Sequence, residues 1–351
     1  MKRFLGIALP ALLAFSLGCG DDEPAGSGGS GGSGASSVSG SGASGGAGPG
    51  GAGGSGAAGG SASGGAGGAG GGSGGANPDC AALPAGPIDP VEVTDALGGS
   101  EDFAFDGKGH IAGKQGNSMV LVDAQGAVTD LAPLAGQTYG VRFHPDGRLL
   151  AAAVQQGKLV AITPEGDVSD YVTGLSGPNG IYPDFDGNVW VTEFGGNKVT
   201  RVGADLQKET VAEGTNASSP NGVVLDAAHN RLFYTEYGDG KVQRVDLGGA
   251  NPEAVEVATV EGALDGLAMD ACGNLYAVDQ QGSDLYRIEL DAAGAAVGAP
   301  VMLAHFPQNV ANVQWGSGAG FDGKLLYAAG NPGVVYSVAV GVAGMPVPTV
   351  P

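Results

Sequence analysis

A polar or otherwise distinctive residue stands about ten positions ahead of a short apolar strand, again and again along this chain. Glu101 precedes Ile111, Tyr139 precedes Leu149, Asn179 precedes Val189 and Asp265 precedes Leu275, each by ten residues. Asn221 precedes Leu232 by eleven and Ala311 precedes Leu325 by fourteen. Each interval carries the same grammar: a short alternating strand, a Gly/Asp/Asn turn, then a second strand. Asn179-Gly180-Ile181-Tyr182 passes through Asp186-Gly187-Asn188 to Val189-Trp190-Val191-Thr192, and Asp265-Gly266-Leu267 passes through Cys272-Gly273-Asn274 to Leu275-Tyr276-Ala277. The second-strand starts advance by 38, 40, 43, 43 and 50 residues. Short strands repeating at about 40 residues read as blades of a β-propeller.

Third strands follow each inner pair, at Met119–Val122, Leu159–Thr163, Val199–Val202, Val242–Val245, Leu285–Ile288 and Val334–Val338, after turn signals such as Gly238-Asp239-Gly240. Six inner-strand starts predict an all-β, six-bladed propeller over residues 88–345. Val91-Glu92-Val93 is placed to close the ring as the outermost strand of the last blade. The long interval in the last repeat predicts an enlarged turn near Gly316 to Gly323.

The N-terminal part has a different character. Lys2 and Arg3 precede an apolar stretch, Phe4 to Leu17, that is short and interrupted by proline. Residues 1–18 therefore read as an export signal and not as a membrane span. Leu17-Gly18-Cys19-Gly20 resembles the lipobox of bacterial lipoproteins, which implies lipid on Cys19 and a place in the cell envelope; an ordinary signal peptide is the alternative. Residues 19–79 read as a disordered tether. Ala25 to Ala76, 52 residues, holds only Gly, Ser and Ala apart from Val38 and Pro49. Such a segment has almost nothing to bury, and a flexible chain of that length spans roughly 40 Å. Of the three cysteines, Cys80 and Cys272 remain, either as a disulfide pinning the tether's edge to the propeller or as two unrelated thiols. The formal net charge of −21 disfavours nucleic acid and anionic lipid headgroups as partners.

Inner strands of a propeller converge on one axis, so the residues leading the repeats share one central mouth. Those leaders are Glu101, Tyr139, Asn179, Asn221, Asp265 and Ala311. Four of them offer a carboxylate or amide oxygen and none is Cys or His. An all-oxygen set with two negative charges suits a hard cation, Ca²⁺ first, with Mg²⁺ or another divalent ion second. The bland alternative is that Asn/Asp-Gly pairs simply favour strand entries. His305, before Phe306-Pro307, is the histidine placed to reach the mouth.

Between Glu101 and Tyr336 the chain resembles the senescence-marker-protein, gluconolactonase and luciferin-regenerating-enzyme family of six-bladed calcium propellers. The resemblance rests on Ser100-Glu101, Gly177-Pro178-Asn179-Gly180, Ser219-Pro220-Asn221-Gly222, Leu264-Asp265-Gly266 with Asp270, and Ala311-Asn312-Val313-Gln314-Trp315-Gly316. It implies that Glu101, Asn221 and Asp265 bind the metal directly and that Asn179 lies beside it, contacting water or substrate. It also implies hydrolysis of a lactone or related ester, with Asp265 moving the proton. Tyr139 faces the same mouth as a candidate substrate contact. One position departs from the pattern. Family lactonases acting on sugars carry Arg two residues before the third-blade Asn, and here that residue is Gly177. A sugar acid lactone thus loses a cationic partner. The competing expectation is a non-catalytic, surface-tethered propeller that binds a small ligand or a protein, with a structural metal or none.

Overall fold

A computed structural model describes residues 78–99, 101–249 and 252–351. The export signal, Cys19 and nearly all of the tether lie outside the described residues, as does Ser100. Six four-stranded antiparallel sheets make the blades of a propeller. The inner strands are Phe103–Phe105, Thr138–Phe143, Pro178–Pro183, Pro220–Asp226, Leu264–Met269 and Asn312–Trp315 for blades 1 to 6 in order. Strand Val91–Thr94 pairs antiparallel with Val335–Val338, so an N-terminal strand closes the last blade as the sequence predicts. The enlarged turn is also present, between Asn312–Trp315 and Leu326–Ala329.

Ala and Val dominate because every blade is covered on both faces. In blade 2, Leu149, Ala151 and Ala153 pack toward blade 1, while Leu150 and Ala152 pack toward blade 3. Successive side chains point to opposite faces, so the strand needs apolar residues at every position, and all five are buried. Small residues set the distance between blades, and an added isobutyl group at Ala151 would cost about 1–3 kcal/mol in overpacking.

Two further devices hold the ring together. Cys80, in the short helix Pro78–Ala82, is joined by a disulfide to Cys272 in blade 5. The C-terminal segment crosses the end of the axis opposite the mouth. Its Met345 N–H donates to the Met269 carbonyl at 2.9 Å and its Val350 N–H to the Asp106 carbonyl at 3.0 Å. Among the described residues no helix is long and apolar enough to cross a membrane.

Candidate active site

The mouth is built by one irregularity repeated in four blades. Strand pairing breaks between Thr138 and Val141, Pro178 and Ile181, Pro220 and Val223, and Leu264 and Leu267. The break falls on Tyr139-Gly140, Asn179-Gly180, Asn221-Gly222 and Asp265-Gly266. Such a bulge lifts two residues out of the ladder and re-aims the first. Glycine is required second, because a Cβ on Gly140, Gly180, Gly222 or Gly266 would collide with the carbonyl of Asn179, Asn221, Asp265 or Ala311 of the next blade. The leading residues are therefore stacked blade against blade, as the repeat register predicts.

Side chains lock that arrangement. The Thr192 hydroxyl accepts the Gly180 N–H at 2.8 Å and donates to the Asn221 carbonyl at 2.5 Å. Thr235 does the same one blade on, accepting from Gly222 at 2.7 Å and donating to the Asp265 carbonyl at 2.6 Å. Carboxylates at the ends of the second strands hold the loops that enter the mouth. Glu193, Glu236 and Asp279 accept the N–H groups of Ser176, Ser218 and Ala263 at 2.6, 2.9 and 2.9 Å.

In blades 1 and 6 the glycine register is taken by Asp102 and Asn312, whose side chains turn into the axis. Asp102 accepts N–H groups from Phe103 and Val141, each at 2.8 Å, and pairs with the Arg142 guanidinium. Arg142 also donates to the Val141 carbonyl at 2.6 Å and to Asn312 Oδ1 at 3.4 Å. Burial pushes the Asp102 carboxyl up against the pull of Arg142. Arg142 is thereby committed to the axis and is not free to stand in for the arginine that the resemblance implies at position 177. Beneath it, Met345 and Val347 of the C-terminal segment line a small cavity with Arg142, Leu267 and Val313.

Glu101, Asp265 and Tyr139 come within electrostatic reach of one another. Burial, then the negative charge of Asp102, raises Glu101 to about 7, with a hydrogen bond from the Gln280 side chain opposing the shift. Burial, then Glu101 and Asp102, pushes Asp265 well above the usual carboxylate range. Burial and the charges of Glu101 and Asp265 also raise Tyr139. Asn179 and Asn221 occupy the intervening bulges, 7% and 3% exposed, and Ala311 is fully buried. Among the described residues no three His, Cys, Asp or Glu side chains form a metal-binding group, so the candidate donor set is two carboxylates with two amides. The test of that set is Asp265 itself. It is 2% exposed, and its Oδ2 is buried without a hydrogen-bond partner among the described residues. A buried, unsatisfied carboxylate oxygen beside further carboxylates is costly unless a cation or proton neutralises it. A proton on Asp265 meets that need in the metal-free chain, and the all-oxygen chemistry of the donor set is the kind that a divalent cation accepts.

Tyr237 and Gln280, which are not among the repeat leaders, also stand at the mouth. The Tyr237 hydroxyl donates to Gln280 Oε1 at 2.6 Å, and its ring meets Phe194 edge-on at 5.8 Å. Burial, then Asp265 and Glu101, raises Tyr237 too, which places it at the same rim. Aligning the repeats one step further would have found it, since Tyr237 and Phe194 each follow the Thr-Glu pair of their blade. His305 does not reach the mouth. It ends the outermost strand of blade 5 and binds Asp284 at 2.8 Å. Gly177 has φ +60°, and a Cβ there would fall 2.9 Å from the Gly195 nitrogen, so the loop is built for the residue it has.

Comparison with known proteins gives the same architecture. No family model matches the chain. Virginiamycin B lyase of Nocardia farcinica is 32% identical over 156 residues, 41% of this chain and 54% of that protein, so the chain matches about half of that relative's length. The solved structure of a protein described as a gluconolactonase superposes with a TM-score of 0.62 at 20% identity, over 77% of this chain and 98% of the other. The luciferin-regenerating enzyme gives 0.60 at 17% identity, over 74% and 99%. The chain is a six-bladed propeller whose structural neighbours include a gluconolactonase and the luciferin-regenerating enzyme.

Proposed function

We propose that the protein is a metal-dependent hydrolase of a lactone or related ester, exported and held at the cell envelope by lipid on Cys19. The observation that carries this reading is the buried, unsatisfied Oδ2 of Asp265 in a mouth that Glu101 also enters. Glu101, Asp265, Asn221 and Asn179 would hold a divalent cation, Ca²⁺ before Mg²⁺. When bound, that ion supplies Lewis-acid polarisation of a carbonyl oxygen. Asp265 would take the proton from the attacking water, being the carboxylate whose Oδ2 is free of any hydrogen bond among the described residues. Tyr139 donates to the substrate from blade 2, and the Tyr237–Gln280 pair fixes the facing rim. Gluconolactonase and luciferin-regenerating enzyme among the structural neighbours support the hydrolase class. Gly177 and the committed Arg142 favour an uncharged lactone or ester lacking the polar contacts of a sugar acid.

The 32% identity to a lyase supports a second reading, in which a mouth residue removes a carbon-bound proton and the ring opens by elimination. Product mass separates the two. Hydrolysis adds one water to the lactone, and elimination gives an isomer of unchanged mass. A panel of lactones and aryl esters, run with Ca²⁺ and with chelator, should give metal-dependent turnover that Asp265→Asn abolishes. Turnover indifferent to both would overturn the hydrolase reading. A Ca²⁺-dependent rise in melting temperature with no turnover on any substrate would favour the binding propeller.

A further inference from the structure

On the face opposite the mouth, a cavity of about 570 Å³ opens between blades 3 and 4 and the C-terminal segment. Its deep wall is apolar, made by Trp190, Val211, Leu225, Leu247 and Met345. At its edge Phe185 is 64% exposed, a large apolar side chain left beside an open cleft. Asp184, Asp186 and Glu209 bring three negative charges to the lining against the single positive charge of Arg201. That guanidinium is already engaged, with Asn188 Oδ1 at 2.7 Å, Glu209 at 3.4 Å and the Trp190 ring centroid at 5.8 Å. Asp184 is spent on its own turn, accepting from the Asp186 and Asn188 backbones and the Asn188 side chain. The wall also holds a donor without a role. Trp190 is 5% exposed, and its Nε1–H is buried with no hydrogen-bond partner among the described residues. Buried polar groups are normally satisfied, and this N–H is covered in the structure, so an acceptor can meet it only after a neighbouring side chain moves.

We infer that this cleft is a second ligand site, for a small apolar molecule carrying a protonated amine and a hydrogen-bond acceptor. The apolar wall and Phe185 take the body of the ligand, and the exposed face of Phe185 also attracts a cation. Asp186 and Glu209 favour the ammonium and repel an anion, an effect that the acidity of the whole chain reinforces. The acceptor reaches Trp190 Nε1–H as Arg201 shifts on its flexible stem. No residue of the mouth takes part, so the site stands whether or not the hydrolase reading does.

The test uses L-phenylalaninamide, which bears a ring, an ammonium and a carbonyl, with 3-phenylpropionate as the anionic counterpart. The chain has two tryptophans, so two indole N–H resonances report. That of Trp315, bonded to the Val342 carbonyl at 2.9 Å, is the internal control. Addition of L-phenylalaninamide should move the Trp190 resonance saturably and leave Trp315 in place. Asp186→Asn and Phe185→Ala, both at exposed positions, should each weaken binding about three- to fivefold. Absence of a saturable Trp190 shift, equal binding of the anion, or binding unchanged in both variants would overturn the assignment.

Discussion

The Thr235 hydroxyl donates a 2.6 Å hydrogen bond to the backbone carbonyl of Asp265, and so ties blade 4 to a buried acid of the mouth. The same oxygen accepts the N–H of Gly222. Thr235→Val keeps the shape and deletes both bonds, leaving a buried N–H and a buried carbonyl unsatisfied. The cost should be about 1–3 kcal/mol, read as a lower midpoint in denaturant unfolding. Cation affinity should fall in the same variant, because the Asp265 backbone loses its tie.

Gly177→Arg introduces the arginine that the resemblance to sugar lactonases implies at this position, and it should fail. The residue sits at φ +60°, with the Gly195 nitrogen 2.9 Å from where a Cβ must go. The variant should melt lower than wild type and gain no sugar lactone turnover. A stable variant with new activity on a sugar lactone would show that the loop tolerates the side chain after all.

Glu101 and Asp265 make stability depend on pH in a direction that can be worked out. Both have a higher proton affinity folded than unfolded, so the native chain holds more protons between the ordinary Glu value of 4.5 and the folded value of about 7. Unfolding free energy therefore declines as pH rises through that window. Chelator-treated protein should lose melting temperature between about pH 5 and about pH 8, and Glu101→Gln should flatten the slope. A divalent cation takes the place of the protons, so its stabilising effect should grow over the same interval.

The C-terminal segment acts as a stopper. Deleting residues 345–351 removes the bonds to Met269 and Asp106 and uncovers the cavity beneath Arg142. Thermal unfolding should occur several degrees lower, as expected for a loss of about 1–3 kcal/mol from a domain of this size. An unchanged melting temperature would mean that the segment covers the axis without holding it.

The blades were legible because the spacing of strand pairs is dictated by packing, and packing recurs in each repeat. The leading residues were legible for the same reason, down to the closing strand at Val91. Asp102, Asn312 and Arg142 were not. They follow or face the leaders, and only the bulge geometry reveals that Asp102 and Asn312 stand where the other blades need glycine. Tyr237 was within reach, since it follows the Thr-Glu pair that ends its second strand as Phe194 does one blade earlier, whereas Gln280 follows Val278-Asp279 and carries no such signal. The role of the final residues was hidden too, since Pro346 to Pro351 form no repeating pattern and act through two backbone bonds and a few apolar contacts.

Calorimetric titration of Ca²⁺ into the chelator-treated protein weighs the whole proposal most directly. One ion per chain should bind saturably, releasing protons near neutral pH, and Asp265→Asn should remove the binding. Heats indistinguishable from dilution, or a binding curve that neither Asp265→Asn nor Glu101→Gln alters, would mean that these oxygens do not gather around a metal.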